Sequence, residues 1–275
     1  MIERIFVFIL GGCVGSFLNV CIWRIPQNLS VVKPRSYCPH CHAMIGWYHN
    51  IPLVSYWFLR RRCKNCGQPI AFTYFLVELI TAFLFLILYV QYGFGLEFFK
   101  FGFLFSLLIV MSVIDIKYHA LPETLALSGI AAGILFSAGE TYVVVHDRFF
   151  FSSGTLPIIE SFEGLVFGLG CMYLFKLCGD LGIRYYLKIR KKESVEGETE
   201  ALGLGDVDFL GMIGVFLGIH LTVVTFFAAP FFALLYVLWA LCLRKSHVLP
   251  YVPYLSAAAF FSFLWGQKVL EFCNL

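Results

Sequence analysis

EFFKFGFLFSLLIVMSVID, residues 97–115, carries a single lysine between the acids at its two ends. A helix crossing the bilayer core needs about 20 mostly apolar residues. This run has that length and lacks the polar–apolar alternation of a barrel strand. Comparable runs lie outward from it, near 5–23, 73–91, 122–142, 157–178, 207–219, 221–242 and 253–270. The run at 207–219 is short and also reads as one half of a long hairpin with 221–242. Across its 275 residues the chain is 60% hydrophobic and 13% charged, about half the roughly 25% charge of a soluble domain. A soluble globular enzyme, a disordered tail and a nucleic-acid binder are thereby excluded.

The few charges are sorted. Arg24, Lys33, Arg35, Arg60, Arg61, Arg62 and Lys64 crowd the first loop. Lys117 lies in the third, Arg184, Lys188, Arg190, Lys191 and Lys192 in the fifth, and Arg244 with Lys245 in the seventh. The opposite side holds only Arg4, Lys100, Arg148 and Lys268, with Lys176 near an inner helix end. Positive-inside bias places the odd-numbered loops in the cytoplasm and both termini outside. Glycine pairs at four-residue spacing (Gly11 and Gly15, Gly129 and Gly133, Gly164 and Gly168, Gly214 and Gly218) would let helix backbones approach closely in lipid.

Ten cysteines fall into two groups. Six are scattered in or beside the spans, where cysteine behaves as a small hydrophobe. The other four form two C-x2-C knuckles in the first loop, Cys38 with Cys41 and Cys63 with Cys66, separated by 21 residues. Each two-residue gap turns two thiolates toward one point, and two knuckles complete a tetrahedral shell for Zn²⁺. Four protein ligands leave no open position, so such a metal is structural. Iron accepts the same shell, whereas disulfides fit a reducing compartment poorly. His40, His42 and His49 read as solvated loop residues. The expected fold is an all-α polytopic membrane bundle of about eight transmembrane helices with a small cytoplasmic zinc-ribbon-like insertion. Its parts are a first helix (1–23), a zinc-binding segment (24–72) and a bundle (73–275).

Acids at the rim of a membrane are costly and carry functional hypotheses. Asp115 ends the third span and is followed by Leu121-Pro122-Glu123; Asp206 opens the sixth in Gly203-Leu204-Gly205-Asp206. Both are expected at the cytoplasmic rim. There one could serve as acid and the other as base, activating a water against a peptide carbonyl. Gly203 and Gly205 would let a substrate chain approach Asp206. Helix capping is the competing role for either residue. Glu78, one turn into the second span, could face a polar pocket or pair with a basic residue.

Taken in order, these motifs resemble those of the bacterial type IV prepilin peptidases, membrane aspartic proteases of pilus and type II secretion systems. Gly15-Ser16-Phe17-Leu18-Asn19-Val20 with Arg24-Ile25-Pro26 resembles the family's opening signature. Cys38 to Cys41, Asn50-Ile51-Pro52 with Ser55, and Cys63 to Cys66 resemble its zinc segment. Tyr74 and Glu78 resemble the start of its next helix, and Asp115 with Leu121-Pro122 and the Gly-x-Gly-Asp at 203–206 its two aspartate motifs. The resemblance implies cleavage of prepilin or pseudopilin leaders after a glycine, with Asp115 and Asp206 catalytic. It also implies N-methylation of the new N-terminus, usually phenylalanine, from S-adenosylmethionine, with Gly15, Asn19, Arg24 and Glu78 contributing. It further implies a multi-pass protein of the bacterial inner membrane, in contact with lipid. Two positions depart from the pattern: Asp208 stands where lysine is common, reversing a charge beside Asp206, and Glu123 replaces a common aspartate. The competing functions are a membrane-tethered zinc-ribbon binding module and an ion-coupled transporter. The former would make both aspartates dispensable, and the latter would favour acids nearer the bilayer midplane.

Overall fold

A computed structural model describes residues 1–147, 155–190, 202–242 and 250–273. The apolar runs become α1 (Ile2–Arg24), α3 (Phe72–Tyr92), α4 (Leu96–Tyr118), α5 (Glu123–Asp147), α6 (Pro157–Arg190), α7 (Leu204–Cys242) and α8 (Val252–Phe272). A short α2 (Val54–Phe58) interrupts the loop between α1 and α3. Among the described residues there is no strand, only two isolated antiparallel bridges in that loop. Lys191, Lys192, Arg244, Lys245, Arg148 and the acids at 193, 196, 198 and 200 lie outside the described residues.

Among the described residues six helical stretches are long and apolar enough to cross a bilayer. One of them is folded on itself. At 39 residues α7 would extend about 58 Å if straight, nearly twice the hydrocarbon thickness of about 30 Å. Its helical geometry breaks at Gly218, with φ 73° and ψ 173°, a backbone state open to glycine and hostile to other residues. Gly218 lies against Glu160 at the start of α6. Further along α6, Phe175 meets Phe226 of the second limb, ring centroids 5.8 Å apart, and Lys176 reaches Leu202 just ahead of the first. Both limbs therefore run beside α6, and the chain reverses at Gly218. The two limbs, 204–217 and 219–242, correspond to the expected sixth and seventh spans, and α8 to the eighth.

One boundary differs from the sequence reading. The fifth span is expected to end near 178, but α6 continues to Arg190. Beyond Gly182 the chain has no breaker, and its Arg, Leu and Lys residues are good helix formers. Arg184, Lys188 and Arg190 thus extend a helix instead of sitting in a loop.

The chain forms two compact units, Met1–Tyr118 and His119–Leu275; α3 and α4, which the sequence reading groups with the later spans, fall in the first. In that unit Gly11 and Gly15 let α1 lie directly on α3. A Cβ on Gly11 would sit 2.8 Å from the Ala82 Cα, and one on Gly15 2.7 Å from the Glu78 Cα. In the second unit Gly164 faces Gly214 so closely that a Cβ on either would be 2.1 Å from the other's carbonyl oxygen. A Cβ on Gly133 would be 2.5 Å from Val215 Cγ1. These spacings fit the close approach expected of small residues, which in lipid replaces the hydrophobic drive of water.

Candidate metal centre, cleft and aspartate motifs

The two knuckles fold alike. Cys38 N–H donates to the Ala43 carbonyl and His42 N–H to the Cys38 carbonyl; Cys63 N–H donates to Gln68 and Gly67 N–H to Cys63. The residue after each second cysteine takes a left-handed conformation, His42 at φ 55° and Gly67 at φ 70°. That turn brings all four Sγ atoms within 4.8 Å of one another. A tetrahedral Zn–S distance of about 2.3 Å requires S···S separations of about 3.8 Å, and Cys38 Sγ lies 3.8 Å from Cys66 Sγ. The four-cysteine group can hold zinc, and no histidine joins it among the described residues.

The thiols do not share one acidity. Asn65, whose side-chain N–H donates to Cys41 Sγ at 3.5 Å, is the main reason Cys41 is pulled down to about 6, with Ala43 assisting. The N–H groups of Cys66 and Asn65 lower Cys63. A Gln68 N–H favours the Cys66 thiolate, but burial and the other three sulfurs push it up to about 11. Four thiolates this close repel, and a divalent cation removes that conflict.

Beneath the knuckles the first unit encloses an open cleft of about 440 Å³, within the range of small-molecule sites. Trp23, Tyr37, Tyr56 and Tyr74 line it, with Asn19, Arg24, Glu78, Lys64 and Lys117 among its polar groups. Three of the four residues expected at a methyl-donor site therefore share one cavity. The fourth, Gly15, sets the approach of α1 to Glu78. Each polar residue also shapes the walls. Asn19 donates to the Tyr74 carbonyl at 3.0 Å. The buried Arg24 donates to the Ser30 and Arg35 carbonyls and lies over the Tyr37 ring. Glu78 accepts from Leu53 N–H at 2.7 Å, holding a residue at φ 63°. Glu78 thus faces a polar pocket, and among the described residues it has no basic partner in an ion pair.

Asp115 sits in the last turn of α4 and Asp206 in the first turn of α7, each 8% exposed. They belong to different units. Lys117, two residues from Asp115, lines the cleft with its Nζ 5.9 Å from the Tyr74 ring, so Asp115 and the cleft occupy the same end of the first unit. In the second unit the Leu-Pro and Gly-x-Gly-Asp motifs meet: a Cβ on Gly205 would be 2.8 Å from Leu121 Cβ. This changes the sequence reading of Gly205, because the space beside it is filled by Leu121 and is not left open for a substrate chain. The two departures from the family pattern also lie within electrostatic reach of each other, Asp208 and Glu123.

Sequence reasoning missed two residues here. Lys176, 7% exposed, donates to the Leu202 carbonyl at 2.7 Å and pairs with Asp180 at 3.1 Å, pinning the segment that leads into Gly203. Its only sequence signal is a lysine inside an apolar run. Tyr251, just ahead of α8, is pushed up to about 12 by burial, with the Asp206 charge adding to the effect.

Comparison with known proteins agrees with this layout. Residues 9–92 match the bacterial peptidase A24 N-terminal domain, and residues 102–238 match the type IV leader peptidase family. A prepilin leader peptidase/N-methyltransferase of Myxococcus xanthus is 36% identical over 78% of this chain, which spans only 56% of that relative. Its counterpart in Bacillus subtilis is 29% identical over 97% of this chain and 96% of its own length. The Klebsiella pneumoniae protein of that name is 32% identical over 78% of this chain and 84% of its own. No solved structure matches. With both family matches falling in order on the segments that carry the cysteines and the aspartate motifs, the chain belongs to the type IV leader peptidase family.

Proposed function

We propose that the chain is an aspartic endopeptidase that cuts prepilin-like leader peptides after glycine and then methylates the new N-terminus. The single observation that carries this reading is the packing of Gly205 on Leu121, which joins the Gly-x-Gly-Asp and Leu-Pro motifs into one local structure. If the spans alternate, the loop between α1 and α3, the end of α4 and the start of α7 all fall on one face of the membrane. Basic-residue bias makes that face cytoplasmic. We assign Asp115 and Asp206 as the catalytic pair.

One carboxylate takes a proton from water as it attacks the scissile carbonyl, and the other, protonated, supports the developing oxyanion. Proton return to the leaving amine completes the cut.

In the first unit Cys38, Cys41, Cys63 and Cys66 hold Zn²⁺ as a structural staple. A loop of this size has too small an apolar core to fold alone. S-adenosylmethionine would supply the methyl group. The aromatic walls and the Glu78 carboxylate are the groups of the cleft that can attract a cationic donor. Asn19 and Arg24 fix the cleft walls, and Gly15 admits α1 to them.

The test is to incubate the purified membrane protein with a prepilin, with and without methyl donor, and weigh the product. A mass loss equal to the leader, plus one methyl when donor is present, is the expected result. An uncut substrate removes the peptidase reading; a cut but unmethylated product removes only the second activity.

A further inference from the structure

The segment around α2 carries features that neither activity uses. Tyr56 stacks on Phe75 at 5.2 Å and meets Phe72 at 6.3 Å, while Trp57 packs edge-on against Phe75 at 5.8 Å. Phe72 and Phe75 form the first turn of α3, a membrane-crossing helix. Helix α2 is therefore fixed beside the point where α3 enters the bilayer. Its outward face is apolar and uncovered: Trp57 is 56% exposed and Phe58 85%.

Directly after it come Arg60, Arg61, Arg62 and, past Cys63, Lys64, all exposed. Arg60 and Arg61 both take left-handed backbone conformations, at φ 49° and 59°, states that cost non-glycine residues free energy. The Arg61 guanidinium lies over the Trp57 ring at 5.0 Å, linking the basic and aromatic parts of the patch. The chain has no Asp or Glu between Glu3 and Glu78, so the anions nearest in sequence are the thiolates of Cys63 and Cys66. A ring of indole and phenyl groups bordered by guanidinium groups is chemistry for the interfacial layer of a membrane. There aromatics sit at headgroup depth and clustered basic side chains attract anionic lipid.

We infer that α2 and Arg60–Arg62 form a docking surface for anionic phospholipid headgroups, with Trp57 and Phe58 inserted at the level of the first turn of α3. The surface seats the zinc-binding segment on the bilayer through contacts separate from the metal. Its occupant is lipid, in preference to a second copy of the chain, because Arg60, Arg61, Arg62 and Lys64 would repel the same patch on a partner.

The full chain is placed in nanodiscs of phosphatidylcholine with and without phosphatidylglycerol, and the lipid retained after extraction is counted by mass spectrometry. Arg60→Gln/Arg62→Gln, which spares Arg61, should weaken phosphatidylglycerol retention by about fivefold per arginine removed. The Arg60→Lys/Arg62→Lys variant should restore it. Bound zinc, unchanged in both, reports that the segment is folded. Separately, lipids brominated near the headgroup should quench a tryptophan signal in the unmodified chain that is missing from Trp57→Phe. If the glutamine variant loses zinc, this quenching result decides alone. Equal phosphatidylglycerol retention by a zinc-loaded glutamine variant overturns the inference. So does a Trp57 signal quenched by aqueous iodide and untouched by brominated lipid, or one that changes only when two chains cross-link at the patch.

Discussion

The two units hold their functional residues by different means. In the first, side chains are tied across a loop: Glu78 to the Leu53 N–H, Arg24 to two carbonyls, Asn19 to Tyr74, and four cysteines to one point. In the second, bare backbones touch, Gly164 against Gly214 and Gly168 against the Leu210 carbonyl, and the hairpin turns on Gly218. Polar ties suit a loop that must remain near water and build a cavity. Glycine contacts suit a bundle in lipid, where van der Waals packing is the main attraction left. Damage to the glycine packing of the second unit should therefore leave the zinc segment and cleft of the first standing.

The largest effect is expected from the aspartates. Asp206→Asn should cut the cleavage rate by on the order of 10³-fold or more, as loss of a central acid–base residue does. Methyl transfer to an already cleaved peptide and zinc content should both persist. Loss of methyl transfer in that variant would break the division of labour. Gly214→Ala should come next, because its Cβ has no room beside the Gly164 carbonyl. Overpacking costs about 1–3 kcal/mol where side chains can shift, and here the obstacle is backbone. A lower unfolding temperature in detergent with cleavage lost and zinc retained is the expected outcome; an unchanged melting curve would show that α6 and the first limb of α7 can separate freely.

A third effect is smaller and more local. Lys176→Met releases the Leu202 carbonyl and leaves Asp180 without its cation. Displacement of a catalytic segment by about an ångström can cost up to about 10²-fold, so kcat for cleavage should fall by between ten- and a hundredfold with little change in KM. Lys176→Arg should recover part of it. A rise in KM alone would assign Lys176 to substrate binding instead.

Much of this was legible in the sequence, for physical reasons that differ by region. Apolar run length reports directly on the bilayer, so the spans were found, and the doubt over 207–219 turned out to mark the reversal at Gly218. Paired C-x2-C spacing encodes a turn, so the metal centre was found as well. The cleft left no such signal. Its walls come from α1, the loop, α3 and α4, and its polar residues are spaced by contacts that only folding creates. Lys176 was hidden because its partner is a backbone carbonyl 26 residues away, which no pattern of residue types reveals. Gly205 was recognised but its neighbour was not: a motif glycine says that something comes close without saying what.

The smallest effect separates the four thiols of the first unit. Metal binding requires thiolates, so each cysteine still protonated at the working pH releases a proton when Zn²⁺ enters. In the metal-free fold Cys41 ionises near 6 and Cys66 near 11. Across neutral pH Cys66 must give up its proton on binding, whereas Cys41 has already done so. As pH falls through about 6, Cys41 becomes protonated too, and binding must then displace one proton more. A plot of log zinc affinity against pH, measured by chelator competition on the full chain, should therefore steepen by about one unit of slope below pH 6. Asn65→Ala removes the largest cause of the Cys41 shift, so its break should move to higher pH, toward the ordinary thiol range. The same substitution leaves the glycine contacts of the second unit untouched, and cleavage by a zinc-saturated Asn65→Ala chain should be unchanged. A break that stays near 6 in that variant would show that the fold around Ala43, and not the Asn65 amide, sets the acidity of Cys41.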